Sequence, residues 1–193
     1  MSDPTSSSAP PSASAGGGAW STLAEHPDAD RFRAAIANGG WQDGDVLPRH
    51  GARCFGCGPD NSAGFGLFAV AAPGGGVRVD YSFGDRFVGA PGLVHGGALA
   101  AILDDVYGMV MVRELIPGVT IDLSLSYRKP IHLGVPCQLV GKLVDRDERD
   151  VHLEATIEQH DRVKVTSKAT FRILDPERIA NRYERLEAEA TGS

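Results

Sequence analysis

The chain has 193 residues, 42% of them hydrophobic, enough for one domain with a packed core plus tails. Its 25 acidic and 19 basic side chains leave a net charge of −6, and no block of Lys and Arg stands out, which argues against a nucleic-acid partner. No apolar run approaches the ~20 residues of a membrane span, and three cysteines, an odd number, suit a reducing cytoplasm better than a disulfide framework.

Residues 1–19 are almost entirely Ser, Ala, Gly and Pro, with neither Lys nor Arg and no apolar segment. They read as a disordered tail, and as neither a secretory signal nor an Arg-rich transit peptide. Residues 20–50 form an extension whose function is not readable. Within it Asp28 is a candidate cap for a short helix over Arg31–Ala37, which Gly39-Gly40 would stop. The main domain spans 51–174. Gly66–Ala72 reads as a first, noisy strand, Pro73-Gly74-Gly75-Gly76 as a turn, and Val77–Phe83 as a cleanly alternating strand.

A Pro/Gly-rich loop, Gly89-Ala90-Pro91-Gly92-Leu93-Val94, then runs into His95-Gly96-Gly97 and an apolar helix expected from about Gly96 to Arg113. After Pro117-Gly118 the residues Val119, Ile121, Leu123, Leu125 and Tyr127 alternate with Thr120, Asp122, Ser124 and Ser126, the pattern of a half-buried strand. Strands follow at about 136–145, 151–160 and 163–174. Residues 175–193 read as an amphipathic helix or a tail, opened by Asp175-Pro176. One long helix followed by four strands, with strands before it, predicts an α+β fold: an antiparallel β-sheet wrapped around a central long α-helix.

The helix start is where chemistry is expected. Its first N–H groups lack intrahelical partners and carry a partial positive charge, so an oxyanion or a polarised carbonyl is held well there. Placed at ~100° per residue, Leu99, Ile102, Leu103, Val106 and Val110 form one stripe, with Asp104 roughly opposite it and Asp105 on one flank. Asp104 is therefore either a solvated carboxylate on an outer face or a functional one. Its small, uncharged neighbours Ala98, Ala100, Ala101 and Gly108 make a poor wet face and allow close approach by another element or a ligand. His95 and Asp104 lie nine residues apart, ~13 Å along a helix axis. One carbonyl group cannot touch both within one chain, so either one of them is functional or two chains build the site together, as a two-fold dimer would allow.

These pieces, in order, are Cys54-Phe55-Gly56-Cys57-Gly58-Pro59-Asp60-Asn61, Gly92-Leu93-Val94-His95-Gly96-Gly97, Leu103-Asp104-Asp105, Thr120 and Tyr127-Arg128-Lys129-Pro130. Over roughly Cys54 to Leu174 the chain resembles the hotdog-fold acyl-CoA thioesterases, nearest to the phenylacetate-pathway type of the 4-hydroxybenzoyl-CoA thioesterase superfamily. The resemblance implies a hotdog fold and hydrolysis of an acyl-CoA, with coenzyme A as part of the substrate and no separate cofactor. It also implies a homodimer, in some members paired into a homotetramer.

Residue by residue, the resemblance makes Asp104 the nucleophile or general base and puts the thioester oxygen on the Gly96 N–H. It makes Thr120 the positioner of the attacking water and gives His95 the loop or the thioester. Gly97, Asn61, Asp105, Val88, Arg128 and Lys129 are the candidate substrate contacts, Val88 within the Gly84–Gly89 stretch at the acyl entrance and the two basic residues toward the phosphates. Each has a plainer reading: a tight turn for the glycines, a structural role for His95, an ordinary strand threonine, a solvated basic edge. Alternation sets Thr120 on the face opposite Val119, Ile121 and Leu123. Cys54 and Cys57 with His50 nearby offer three metal ligands where zinc takes about four. No fourth is evident, and the resembled family carries such cysteines without a metal, so no metal is assigned; Cys137 reads as a buried strand residue. A non-catalytic acyl-CoA binder and a hotdog hydratase or dehydratase are the alternatives, the latter disfavoured because no His follows Asp104 until His132.

Overall fold

The computed structural model describes residues 26–175; the Ser/Ala/Gly/Pro-rich tail and the segment beyond Asp175 lie outside the described residues. Helix α1 (Ala29–Ala37) comes first, followed by strands β1 (Val70–Ala72), β2 (Gly76–Ser82), β3 (Val88–Ala90) and β4 (Leu93–Val94). The long helix α2 (Gly96–Arg113) precedes β5 (Gly118–Tyr127), β6 (Pro136–Arg146), β7 (Asp150–Glu158) and β8 (Val163–Ile173). Six strands form one antiparallel sheet in the order β1-β2-β6-β7-β8-β5, and β3 pairs with β4 apart from it. The sheet wraps around α2, giving the α+β hotdog arrangement.

Helix α2 is central because it is apolar nearly all round. Leu99, Ile102, Leu103 and Val106 are buried, and so are Tyr107 and the run Met109–Val112. Such a helix has no wet face to offer and must be enclosed. Gly141 of β6 lets the sheet come close, since a Cβ there would stand 2.9 Å from the Val106 and 3.0 Å from the Val110 methyl groups.

The extension packs on the far end of α2. Trp41 Nε1–H donates to the Val112 carbonyl at 3.0 Å, and Arg113 donates to the Trp41 carbonyl at 2.8 Å and to Asp43 at 2.9 Å. The Val112 carbonyl, which also accepts the Leu115 N–H at 3.1 Å, thereby gains a second donor. In α1, Ala29, Phe32 and Ala35 face inward, and Phe32 meets Trp41 edge to face. Asp28 stands at the N-cap as expected, yet its carboxylate makes no cap bond and instead pairs with Arg31 at 3.2 Å.

Two strands depart from the sequence reading. The first is only Val70–Ala72, because Gly66 takes a positive φ of 63° and Phe68 is exposed, which breaks the extended run. In β5 the pairing with β8 shifts register between Thr120 and Asp122, which leaves Ile121 as an extra residue. Such a β-bulge moves every later side chain to the other face. Thr120 therefore lies opposite Phe171, and Leu123 opposite Ala169, on the helix side of the sheet, while Val119 and Ile121 point outward and are 45% and 47% exposed. The expected single apolar layer from Val119 to Tyr127 is in fact split by one residue.

Candidate active site

The loop before α2 is shaped to deliver one free donor. His95 is the N-cap, and its Nδ1 accepts the Gly97 N–H at 2.9 Å. Its carbonyl accepts the Ala98 N–H at 3.0 Å. Of the first helical N–H groups, the Gly96 N–H is the one left pointing off the helix end, where the helix field favours negative charge. The backbone there is tightly held: His95 N–H donates to the Phe87 carbonyl at 2.8 Å, and a Cβ on Gly89 would stand 2.6 Å from His95 Cα. Tyr127, at the end of β5, donates its hydroxyl to the Gly96 carbonyl at 3.0 Å. The sequence reading treated Tyr127 as a strand residue of the resembled motif; its place over the helix start follows from the bulge, which turns it to the helix side.

Eight residues on, Asp104 is half-buried and faces β5, where the Thr120 hydroxyl donates to its Oδ1 at 2.7 Å. The fold thus joins two of the candidate residues directly. At 2.7 Å this is a short O–H···O bond. It holds one of the two carboxylate oxygens. Gly96 and Asp104 stay about 12 Å apart along the unbroken helix, so one chain holds the donor and the carboxylate without bringing them to a common atom.

Asp105, expected among the substrate contacts, is turned to the opposite side of α2, where it meets the 50–57 loop. Its Oδ1 lies 3.3 Å from His50 Nδ1 and 3.5 Å from Cys54 Sγ, and its side chain is 10% exposed. His50 Nδ1 also lies 3.3 Å from Cys57 Sγ and 3.9 Å from Cys54 Sγ. Burial opposes charge on His50, yet Asp105 and Cys54 outweigh it and push its pKa up to about 10. The Cys57 hydrogen bond, helped by His50, pulls the Cys54 thiol down to about 3, while burial raises Asp105. The sequence reading saw three of these four groups; the fourth sits 48 residues beyond Cys57 (105 − 57), where only the fold reveals it.

The remaining candidates are scattered. Asn61 serves its own loop, donating to the Arg53 carbonyl at 3.2 Å and accepting the Ala63 N–H at 3.1 Å. Val88 is 53% exposed beside the 3₁₀ turn Asp85–Phe87, and Arg86 ties that turn to the Asn61 loop through the Ser62 carbonyl at 2.8 Å. Arg128 and Lys129 are exposed at the end of β5, both backbone N–H groups donating to the Lys164 carbonyl. Cys137 is buried as expected, with Gln159 donating to its sulfur at 3.3 Å.

Residues 91–166, which contain the helix start, Asp104 and Thr120, match the thioesterase superfamily. Acyl-coenzyme A thioesterase THEM4 of Mus musculus is 35% identical over 92 residues, 47% of this chain and 40% of the relative. The chain thus spans about two fifths of the length of the curated relative it matches. A crystallised thioesterase superfamily protein superposes with a TM-score of 0.61 at 25% identity, over 81% of this chain and 80% of that one. A Streptococcus mutans protein bound to acetyl CoA shares the fold, with a TM-score of 0.53 at 21% identity over 56% of this chain and 88% of that one.

Proposed function

We propose that this chain, which carries a thioesterase superfamily domain over residues 91–166, hydrolyses an acyl-CoA thioester at a site shared by two copies. The observation that carries the reading is the Thr120–Asp104 bond at 2.7 Å. It orients a half-buried carboxylate on the helix whose start offers the Gly96 N–H. The Gly96 N–H of one copy holds the thioester carbonyl oxygen as it gains negative charge. Asp104 of the partner subunit takes a proton from water, which attacks the acyl carbon. Thr120, its proton given to Asp104, keeps lone pairs to accept from that water. The C–S bond breaks, coenzyme A leaves as a thiolate, and the proton on Asp104 returns to it, so no strong general acid is needed.

The pairing is supported by the ~12 Å between Gly96 and Asp104 and by the face of β5. That strand is a sheet edge and presents Val119 and Ile121 outward. The dimer, and its pairing into a tetramer, belong to this proposal. So does a cytoplasmic location, which fits three free thiols at Cys54, Cys57 and Cys137. Among the described residues no helix is long and apolar enough to cross a membrane.

Thiol release from a panel of acyl-CoA esters, measured with the native chain and with Asp104→Asn, tests the reading. Hydrolysis by the native chain that the variant loses, with the dimer intact, is expected. Thermal stabilisation by acyl-CoA with no thiol released from any ester would overturn hydrolysis in favour of binding alone.

A further inference from the structure

The four groups on the loop side of α2 converge on one small space. Every atom that points inward is a lone-pair donor: His50 Nδ1, Cys54 Sγ, Cys57 Sγ and an Asp105 oxygen, all within 4.8 Å of one another. His50 Nδ1 stands 3.3 Å from Asp105 Oδ1, 3.3 Å from Cys57 Sγ and 3.9 Å from Cys54 Sγ. Asp105 Oδ2 is buried with no hydrogen-bond partner at all. A cation among the four would take one lone pair from each residue and neutralise the buried Asp105 carboxylate.

Four of the six spacings lie close to the edges of a zinc tetrahedron, and the other two are no longer than 4.8 Å. Ligand bonds of 2.0–2.1 Å to N and O and 2.3 Å to S put tetrahedral N···O, S···O and S···N edges at about 3.3, 3.5 and 3.6 Å. The N···O distance is 3.3 Å, the Cys54 S···O distance 3.5 Å, and the two S···N distances 3.3 and 3.9 Å.

The surroundings are cut to hold the groups there. A Cβ on Gly56 would fall 2.0 Å from Asp105 Cγ, and one on Gly108 would fall 2.6 Å from the His50 ring. The loop is wound tightly around the sulfurs. Gly58 N–H donates to the Cys54 carbonyl at 2.9 Å, and His50 N–H donates to Cys57 Sγ at 3.2 Å, supporting a thiolate.

We propose that His50, Cys54, Cys57 and Asp105 bind one divalent metal ion of the zinc class. Two thiolates, an imidazole and a carboxylate in tetrahedral array select zinc over magnesium or calcium. All four positions are filled by protein, so the ion has no open site for a substrate or water and is structural. It fastens the 50–58 loop to the middle of α2, one residue from Asp104. The proposal is independent of the hydrolysis assigned above, because its readout is the ion itself.

The test uses the full chain, purified under reducing conditions from zinc-supplemented cells. Elemental mass spectrometry is expected to find about one zinc ion per chain, falling below about 0.1 in the Cys54→Ser/Cys57→Ser double variant. Titrating the metal-stripped native chain with Co²⁺ is expected to give the visible absorption of tetrahedral, thiolate-ligated cobalt. Gly108→Val, which keeps every ligand and displaces only the His50 ring, is expected to weaken that uptake at least tenfold. The native-chain measurements stand whether or not the double variant folds. No transition metal in the native chain together with no cobalt spectrum would overturn the site, as would a Cys54–Cys57 disulfide under the same conditions.

Discussion

Asp104 and Asp105 are consecutive residues on one helix, and the two sides of that helix treat them differently. On the β5 side, Asp104 is half-buried and receives a single hydroxyl at 2.7 Å. On the loop side, Asp105 is 10% exposed and crowded by His50 and Cys54 at 3.3 and 3.5 Å. Helical residues one apart point ~100° away from each other, so adjacent carboxylates reach different elements. In the proposed hydrolysis the first of these carboxylates moves a proton. In the proposed metal site the second holds the 50–58 loop to the helix.

Removing the Asp104 carboxylate is the strongest way to break this comparison. Asp104→Asn is expected to lower kcat about 10³-fold, the scale of a lost general base, while the urea midpoint hardly moves. Removing the Gly96 donor comes next. Gly96→Pro deletes only the N–H, because Pro suits the first helical position and His95 already has the extended backbone, φ −64° and ψ 133°, that a residue before Pro needs. It should cost roughly 10²-fold in kcat, read in the same thiol-release assay.

Asp105→Ala should show the reverse of Asp104→Asn: about 3 kcal/mol of stability lost in urea unfolding, as when one partner of a buried pair is removed, with a smaller fall in kcat. A kcat loss in Asp105→Ala equal to that in Asp104→Asn would erase the distinction. Thr120→Ala sharpens the β5 side: losing a hydrogen bond to a charged group, worth about 1.5–3 kcal/mol, predicts a ten- to hundredfold drop in kcat that Thr120→Ser largely restores. The smallest effect is expected from His95→Ala, which loses the helix cap and about 1 kcal/mol of stability, checked by the thermal midpoint.

Much of this was legible in the sequence, and the rest was hidden for specific reasons. Helix α2 runs Gly96–Arg113 as its composition and flanking Gly/Pro residues predict, and His95, Gly96 and Asp104 stand on it as expected. Strict alternation misread β5, because a one-residue bulge at Ile121 leaves no composition signal and yet reverses every face beyond it. The first strand was over-extended because Gly66 has a positive φ that its neighbours do not announce. The Cys54-x-x-Cys57 pair was visible with His50 beside it, whereas Asp105 joins them only through tertiary contact. A pattern in sequence reaches local partners; a fourth ligand on a distant helix needs the fold.

The rigid stretch of helix between Gly96 and Asp104 also governs how defects in the two residues combine. A Gly96→Pro chain still carries its carboxylate, and an Asp104→Asn chain still carries its donor. In a two-fold pair, one chain of each kind regenerates a single intact site and a single doubly damaged one. Random mixing makes half of the pairs mixed, so two inactive proteins together should recover roughly a quarter of native turnover. Genetic complementation between dead alleles thus becomes a ruler for the spacing of two residues along one helix.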